Sequence, residues 1–372
     1  MTRQSGESPM PAPETGLETG PKSGSERGRE GGVARRMSGI REDWLAKASE
    51  DVLEPDLAIV DPHHHLWDFT THRYLLPELL ADTGSGHRIT GTVFVECTAF
   101  YRAEAPVELR SLGETEFVNG IAAMAASGTY GATKVAAGIV GMVDLTLGAR
   151  AEDVLRAHMA AAGGRFKGIR HAAGWDESAE IHNSHTNPPR HLYRDDAKFR
   201  EGFAVLGKLG LSFDAWLYHP QLADLLALAR AFPGQQIVLD HVGGPLGIGV
   251  YADRRTEIFA AWRPAIRELA GCPNVAVKLG GLGMRINGFR FHHRARPPSS
   301  VELADSWRPY VETCIEAFGP GRCMFESNFP VDKISAPYAV YWNAFKRLAS
   351  GASADDKAAL FRTTAERFYR LA

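Results

Sequence analysis

LAIVDPHHHLW, residues 57–67, is the stretch from which the rest of the chain is read. Leu57 to Val60 are apolar, the run ends on Asp61, and a histidine triplet follows. A run without polar alternation is what a strand buried on both faces requires, because neither face meets water. In extended chain, side chains two apart share a face, so His63 and His65 project together while His64 turns away. Two imidazoles converging at the end of a buried strand can bind a metal or position a water.

Seven further runs of the same kind follow: 91–97 (GTVFVEC), 135–143 (VAAGIVGMV), 166–171 (FKGIRH), 211–216 (LSFDAW), 236–240 (QIVLD), 274–279 (NVAVKL) and 322–326 (RCMFE). Segments of helical period separate them. In 304–318, Trp307, Val311, Cys314, Ile315 and Phe318 recur on one face and Gly319 supplies the stop; such a stripe is core rather than a cofactor box. Ser353 can cap a last helix whose buried face is Phe361, Ala365, Phe368 and Tyr369. Eight strands with intervening crossovers predict an α/β fold, a (β/α)8 TIM barrel over 41–372, since closure leaves no edge strand exposed. Residues 1–40 are rich in Gly, Ser, Pro, Glu and Arg, too poor in aliphatic side chains to offset the entropy of ordering, and are expected to be disordered.

Composition narrows the function classes. The 42 lysines and arginines nearly balance 44 aspartates and glutamates in 372 residues, which removes the electrostatic reason to expect a nucleic-acid or anionic-membrane partner. Cys97, Cys272, Cys314 and Cys323 form no CxxC pair, so they read as reduced core thiols rather than a disulfide framework. No apolar run is long enough to cross a bilayer and no signal-peptide pattern opens the chain, so the expected location is cytoplasmic. Apolar residues on the outer helices could support a homo-oligomer, although nothing specifies one.

In a barrel of this kind chemistry sits at the C-terminal ends of the strands. There stand Arg170 and His171 after strand four, His219 beyond strand five, Asp240 and His241 after strand six, and Glu326-Ser327-Asn328-Phe329-Pro330-Val331-Asp332 after strand eight. Arg170 reads equally as a bidentate anchor for a substrate carboxylate or as a salt-bridge partner of Glu96. The loop 284–303 carries Arg285, Arg290, His292, His293, Arg294 and Arg296, which suggests a small anionic substrate; a solvated basic loop is the plain alternative.

The HxH of Asp61–Trp67, GIRH of strand four, LDHVG of strand six, SNFP after strand eight and the closing ERFYRL together resemble the amidohydrolase superfamily. The closer likeness is to the amidohydrolase-2 group, which includes 2-pyrone-4,6-dicarboxylate hydrolase and L-fucono-1,5-lactonase. The resemblance implies a barrel hydrolase in which His63 and His65 match the first-strand pair, His241 the sixth-strand histidine and Arg170 a carboxylate-holding arginine. It also implies a possible set of ligands, His63, His65 and His241, for one divalent metal, zinc or manganese, and no organic cofactor. Where much of the superfamily has a proton-accepting aspartate after strand eight, this chain has Asn328, which cannot take a proton at neutral pH. Asp332 or one of the histidines is then the candidate base. The expected activity is hydrolysis of a carboxylate- or hydroxyl-bearing lactone. The alternatives are metal-dependent decarboxylation of an unsaturated or aromatic acid, and a binding relative that has lost catalysis.

Overall fold

The computed structural model describes residues 40–69, 72–178, 180–181 and 188–371. Nearly all of the expected disordered tail therefore lies outside the described residues. The eight expected strands all form, as β1 (Ala58–His64), β2 (Arg88–Val95), β3 (Lys134–Gly141), β4 (Phe166–Arg170), β5 (Ser212–Ala215), β6 (Ile237–Leu239), β7 (Val275–Leu279) and β8 (Cys323–Phe325). They pair in parallel in chain order, as crossover helices require.

The ring closes through the histidine segment itself. His65 N–H donates to the Phe329 carbonyl at 2.8 Å, Asn328 N–H donates to the His63 carbonyl at 3.0 Å, and His64 bridges Phe329. An irregularity between Asp61 and His64 in the pairing of β1 with β2 adds one residue to β1. It returns His64 to the outward face, where its Nε2 lies 2.9 Å from Thr92 Oγ1, and leaves His63 and His65 pointing inward. A short hairpin of Trp67–Phe69 and His72–Tyr74 follows, which the sequence reading did not anticipate.

Two layers of side chains fill the barrel. The lower is aliphatic, with Val60, Val93, Val95, Val140, Val238, Ala276 and Met324. The residues two positions on from the last three are Asp240, Lys278 and Glu326, so by strand alternation the upper layer is ionised. Asp214 and Arg170 join it from β5 and β4, and all five are buried.

The outer helices pack as the periodicity predicts. Ser300–Phe318 is capped by the Ser299 side chain, which accepts from Glu302 N–H, and ends at Gly319 with φ 76°. The C-terminal segment runs through Ala354–Ala358, a π-helical turn at Ala359–Thr363, and Thr364–Phe368, with Ser353 as its cap. Its last residues leave the outer layer: Ala365, Phe368 and Tyr369 enter the barrel from below and pack on the valine layer. No described helix is long and apolar enough to cross a membrane. All four cysteines are free and buried.

Candidate active site

Glu326 organises the centre. Its Oε2 lies 2.7 Å from His63 Nδ1, its Oε1 lies 2.7 Å from His241 Nδ1, and Oε1 also accepts from His241 N–H at 3.1 Å. His63 Nε2 faces the Arg170 Nη1 donor at 3.3 Å, so cationic donors stand on both sides of the ring, with Lys278 Nζ on the Nδ1 side. The ring centroids of His63 lie 4.6 Å from His241 and 4.9 Å from His65. His63, His65 and His241 thus share one buried space. The fit is close enough to forbid a side chain at the neighbouring Gly281, where a Cβ would come within 2.4 Å of the His241 ring and φ is +66°.

Backbone strain gathers at the same point. His241, Val242 and Asn328 have φ of 55°, 48° and 54°. For the β-branched Val242 this is a costly conformation, held by its surroundings, as is usual where a site must be pre-shaped.

Beneath the imidazoles lies a network of charge. Lys278 Nζ is 2.6 Å from Asp214 Oδ2, 3.0 Å from Asp240 Oδ1 and 3.2 Å from His63 Nδ1. Arg170 donates from Nε to Glu96 Oε1 at 2.7 Å and from Nη2 to the Glu96 carbonyl at 2.5 Å, and its Nη1 lies 3.4 Å from Asp240. Every nitrogen of the guanidinium is engaged by protein, so of its two readings the structure displays the Glu96 pair. Burial, then the cations Lys278 and the neighbouring rings, hold the His63 pKa well below its usual value, so this imidazole is neutral.

Asn328 stands between His65 and Asp332. Its Nδ2 donates to Asp332 Oδ1 at 2.8 Å, which turns its carbonyl oxygen toward His65 Nε2 at 3.3 Å. Asp332 Oδ2 accepts from Gly283 N–H at 2.9 Å, and burial pushes this carboxyl well above the usual range. Asp332 therefore orients the asparagine. His65 Nδ1 lies 2.7 Å from the Val95 carbonyl, which fixes the proton there and leaves Nε2 with a lone pair.

The remaining expected residues are dispersed. His171 lines a separate cavity with Glu96 and Asp144 and accepts from Leu145 N–H. His219 accepts from Leu246 N–H and so fastens the loop after β6. Arg290 is exposed, whereas the three imidazoles are buried. His292 is tied through its carbonyl to Arg41, and Arg294 pairs with Glu302. Glu326, Lys278 and Asp214 were not among the expected site residues. Each had a readable signal, a charge near the end of an apolar strand, where burial demands a partner.

A cavity of about 160 Å³ opens at the C-terminal ends of β2 to β4, lined by Glu96, Thr98, Tyr101, Glu108, Ser111, Asp144 and His171 with Val107, Met142 and Ala172. Its polar lining is carboxylates, hydroxyls and one imidazole, with no lysine or arginine. A roomier cavity of about 370 Å³, lined in part by Ala58, Arg88 and Lys134, is at the opposite end of the barrel, away from the imidazoles.

Glu114 lies behind Glu96 and accepts from the backbone N–H groups of Cys97 and Ala99. Burial and then the Glu96 charge push its pKa up to about 8. A folded-state value above the unfolded one contributes stability below about pH 4 that is lost as pH rises through 8. Glu114→Gln, which mimics the protonated acid, is expected to flatten the fall in melting temperature between about pH 5 and 9. Parallel slopes for the two proteins in a thermal scan series would show that Glu114 is already ionised in the fold.

Comparison with known proteins gives the family. The family model described as Amidohydrolase (Amidohydro_2) matches residues 60–371. The chain belongs to the amidohydrolase family. An uncharacterized protein, y4mH, of Sinorhizobium fredii is 33% identical over 338 residues, covering 85% of this amidohydrolase and 99% of that protein. An L-fucono-1,5-lactonase of Burkholderia multivorans is 32% identical over 236 residues, covering 63% of this chain and 72% of that one. A solved amidohydrolase structure from Burkholderia multivorans with bound zinc superposes with a TM-score of 0.65 at 26% identity, covering 85% of this chain and all of that one.

The residues present also suit a divalent ion. His63, His241 and Glu326 each offer a ligand atom, all within 4.8 Å of one another, a nitrogen and oxygen donor set that zinc favours. Glu326 is the third member of this cluster, where the expected trio had His65. Among the described residues, the buried carboxylates Glu96, Asp214, Asp240 and Glu326 share this layer with the buried cations Arg170 and Lys278, so a divalent charge would help to balance it.

Proposed function

We propose that this amidohydrolase opens a lactone whose ring carries hydroxyl groups, by adding water to the ester carbonyl. The observation that carries the reading is the cavity at the C-terminal ends of β2 to β4, lined by Glu96, the partner of Arg170, and by Glu108 and Asp144, which can accept from sugar-like hydroxyls and would repel a carboxylate. Of the two lactone classes expected from the sequence, the hydroxyl-bearing one is therefore favoured, and the lining opposes an anionic substrate or an acid awaiting decarboxylation. The relatives named L-fucono-1,5-lactonase support the same class.

In this reading the water inserts at the direct contact of His65 Nε2 with Asn328 Oδ1, 3.3 Å apart, the two side chains parting so that each accepts one of its protons. Water oxygen bonds to the carbonyl carbon as His65 takes one proton. When the ring C–O bond breaks, the same proton passes to the departing oxygen, leaving a hydroxy acid. Arg170 and Lys278, held 3.3 and 3.2 Å from His63, set positive charge beneath the oxyanion as it develops. A divalent ion on His63, His241 and Glu326 would add Lewis acidity at that carbonyl. The product carboxylate would meet the acidic cavity wall, which favours its release.

The test is a panel of polyhydroxylated and dicarboxylate lactones followed by acid release. Turnover is expected for the hydroxylated set, with a loss of about 10²–10⁴ in kcat for His65→Ala. Turnover of the dicarboxylates alone would overturn the substrate class. Asn328→Asp should lower kcat at least about tenfold, because a carboxylate there would hold a proton on His65 Nε2 and so take up the lone pair that accepts from water. A gain instead would mean that the missing aspartate, rather than His65, is the natural base.

A further inference from the structure

We propose that Tyr369, at the foot of the barrel, is a positioning residue for His63, acting through Asp214 and Lys278. The C-terminal segment does more than seal the barrel. Tyr369 is fully buried, and its hydroxyl donates to Asp214 Oδ2 at 2.7 Å. The same oxygen receives Lys278 Nζ at 2.6 Å, and Lys278 in turn lies 3.2 Å from His63 Nδ1. The ammonium also sits 5.6 Å from the centre of the Tyr369 ring. One unbroken line of contacts therefore joins the chain's C-terminal segment to an imidazole of the centre.

The carboxylate makes that line directional. Both donors converge on Asp214 Oδ2, while Oδ1 has no hydrogen-bond partner among the described residues. Without the Tyr369 hydroxyl, Lys278 alone would hold the group, which could then turn its other oxygen to the ammonium. Lys278 would be drawn from His63 or released toward Asp240. An outer partner of this kind sets the orientation of the reacting group without touching substrate.

Tyr369→Phe removes the hydroxyl and keeps the ring. The expected result is a fall in kcat of about tenfold to a hundredfold with KM unchanged. The ¹⁵N resonances of the His63 imidazole should shift as well. Phe368→Leu is the comparison: it loosens the same valine layer without disturbing Asp214, so it should lower the melting temperature and leave kcat and the His63 resonances in place. Adding Tyr369→Phe to Asp214→Asn should cost nothing beyond Asp214→Asn alone. Wild-type kcat in Tyr369→Phe, unmoved His63 resonances, or an equal kcat loss in Phe368→Leu would overturn the proposal. It rests on the hydrolytic reading only for its kinetic arm. If the wild type opened no lactone that reading would fail, and the His63 resonances, which need no substrate, would still decide the part played by Tyr369.

Discussion

Glu326→Gln is expected to reduce kcat by about 10²–10⁴ and zinc affinity by about 10–100-fold. The carboxylate presents one oxygen to each of two Nδ1 atoms at 2.7 Å. An amide has a single oxygen. Its NH2 group would confront the other Nδ1, which would lose the carboxylate oxygen it faces at 2.7 Å and the placement that contact gives the ring. The change also removes a negative charge from a site suited to a cation. Zinc competition titrations and steady-state kinetics measure the two effects separately. Wild-type values in both would mean that Glu326 only fills space between the rings.

The second large effect is on stability. Lys278→Met should destabilise the fold by about 3–5 kcal/mol, because it leaves Asp214 and Asp240 buried without the ammonium that faces both. The methionine fits the volume, so the loss is electrostatic rather than a cavity effect. Lys278→Met combined with Asp214→Asn should recover part of the loss, since one of the stranded charges is then gone. Denaturant titration of the three variants provides the check. A double variant no more stable than Lys278→Met alone would show that Asp214 is already neutral, a state toward which burial, pushing its pKa up to about 6, already leans.

These two residues also show where sequence reasoning stopped. The alternation that places Ala276 inside the barrel puts Lys278 inside as well, and Met324 does the same for Glu326. Apolar runs carrying a single charge at or next to their end, such as VAVKL and CMFE, thus signal a charged layer, which strand parity could have revealed although Asp214, Lys278 and Glu326 were not among the expected site residues. Which charges would pair was a different matter. Arg170 could be weighed between a ligand and Glu96 only because both readings satisfy the same chemistry; the choice depends on how β2 and β4 are spaced across β3. The hairpin after the histidines was missed for a related reason: its two strands are three residues each, too short for a period to be counted.

The order of eight buried strands, the pairing of His63 with His65 and the absence of the usual aspartate at Asn328 were determined by the sequence itself, because they depend on local polarity and on a two-residue period. Tertiary structure alone decided that Glu326 would bridge His63 and His241, and that Tyr369 would reach Asp214 from below. Those outcomes turn on separations of about an ångström between residues far apart in the chain. Ring closure and packing set such distances, and no local pattern encodes them.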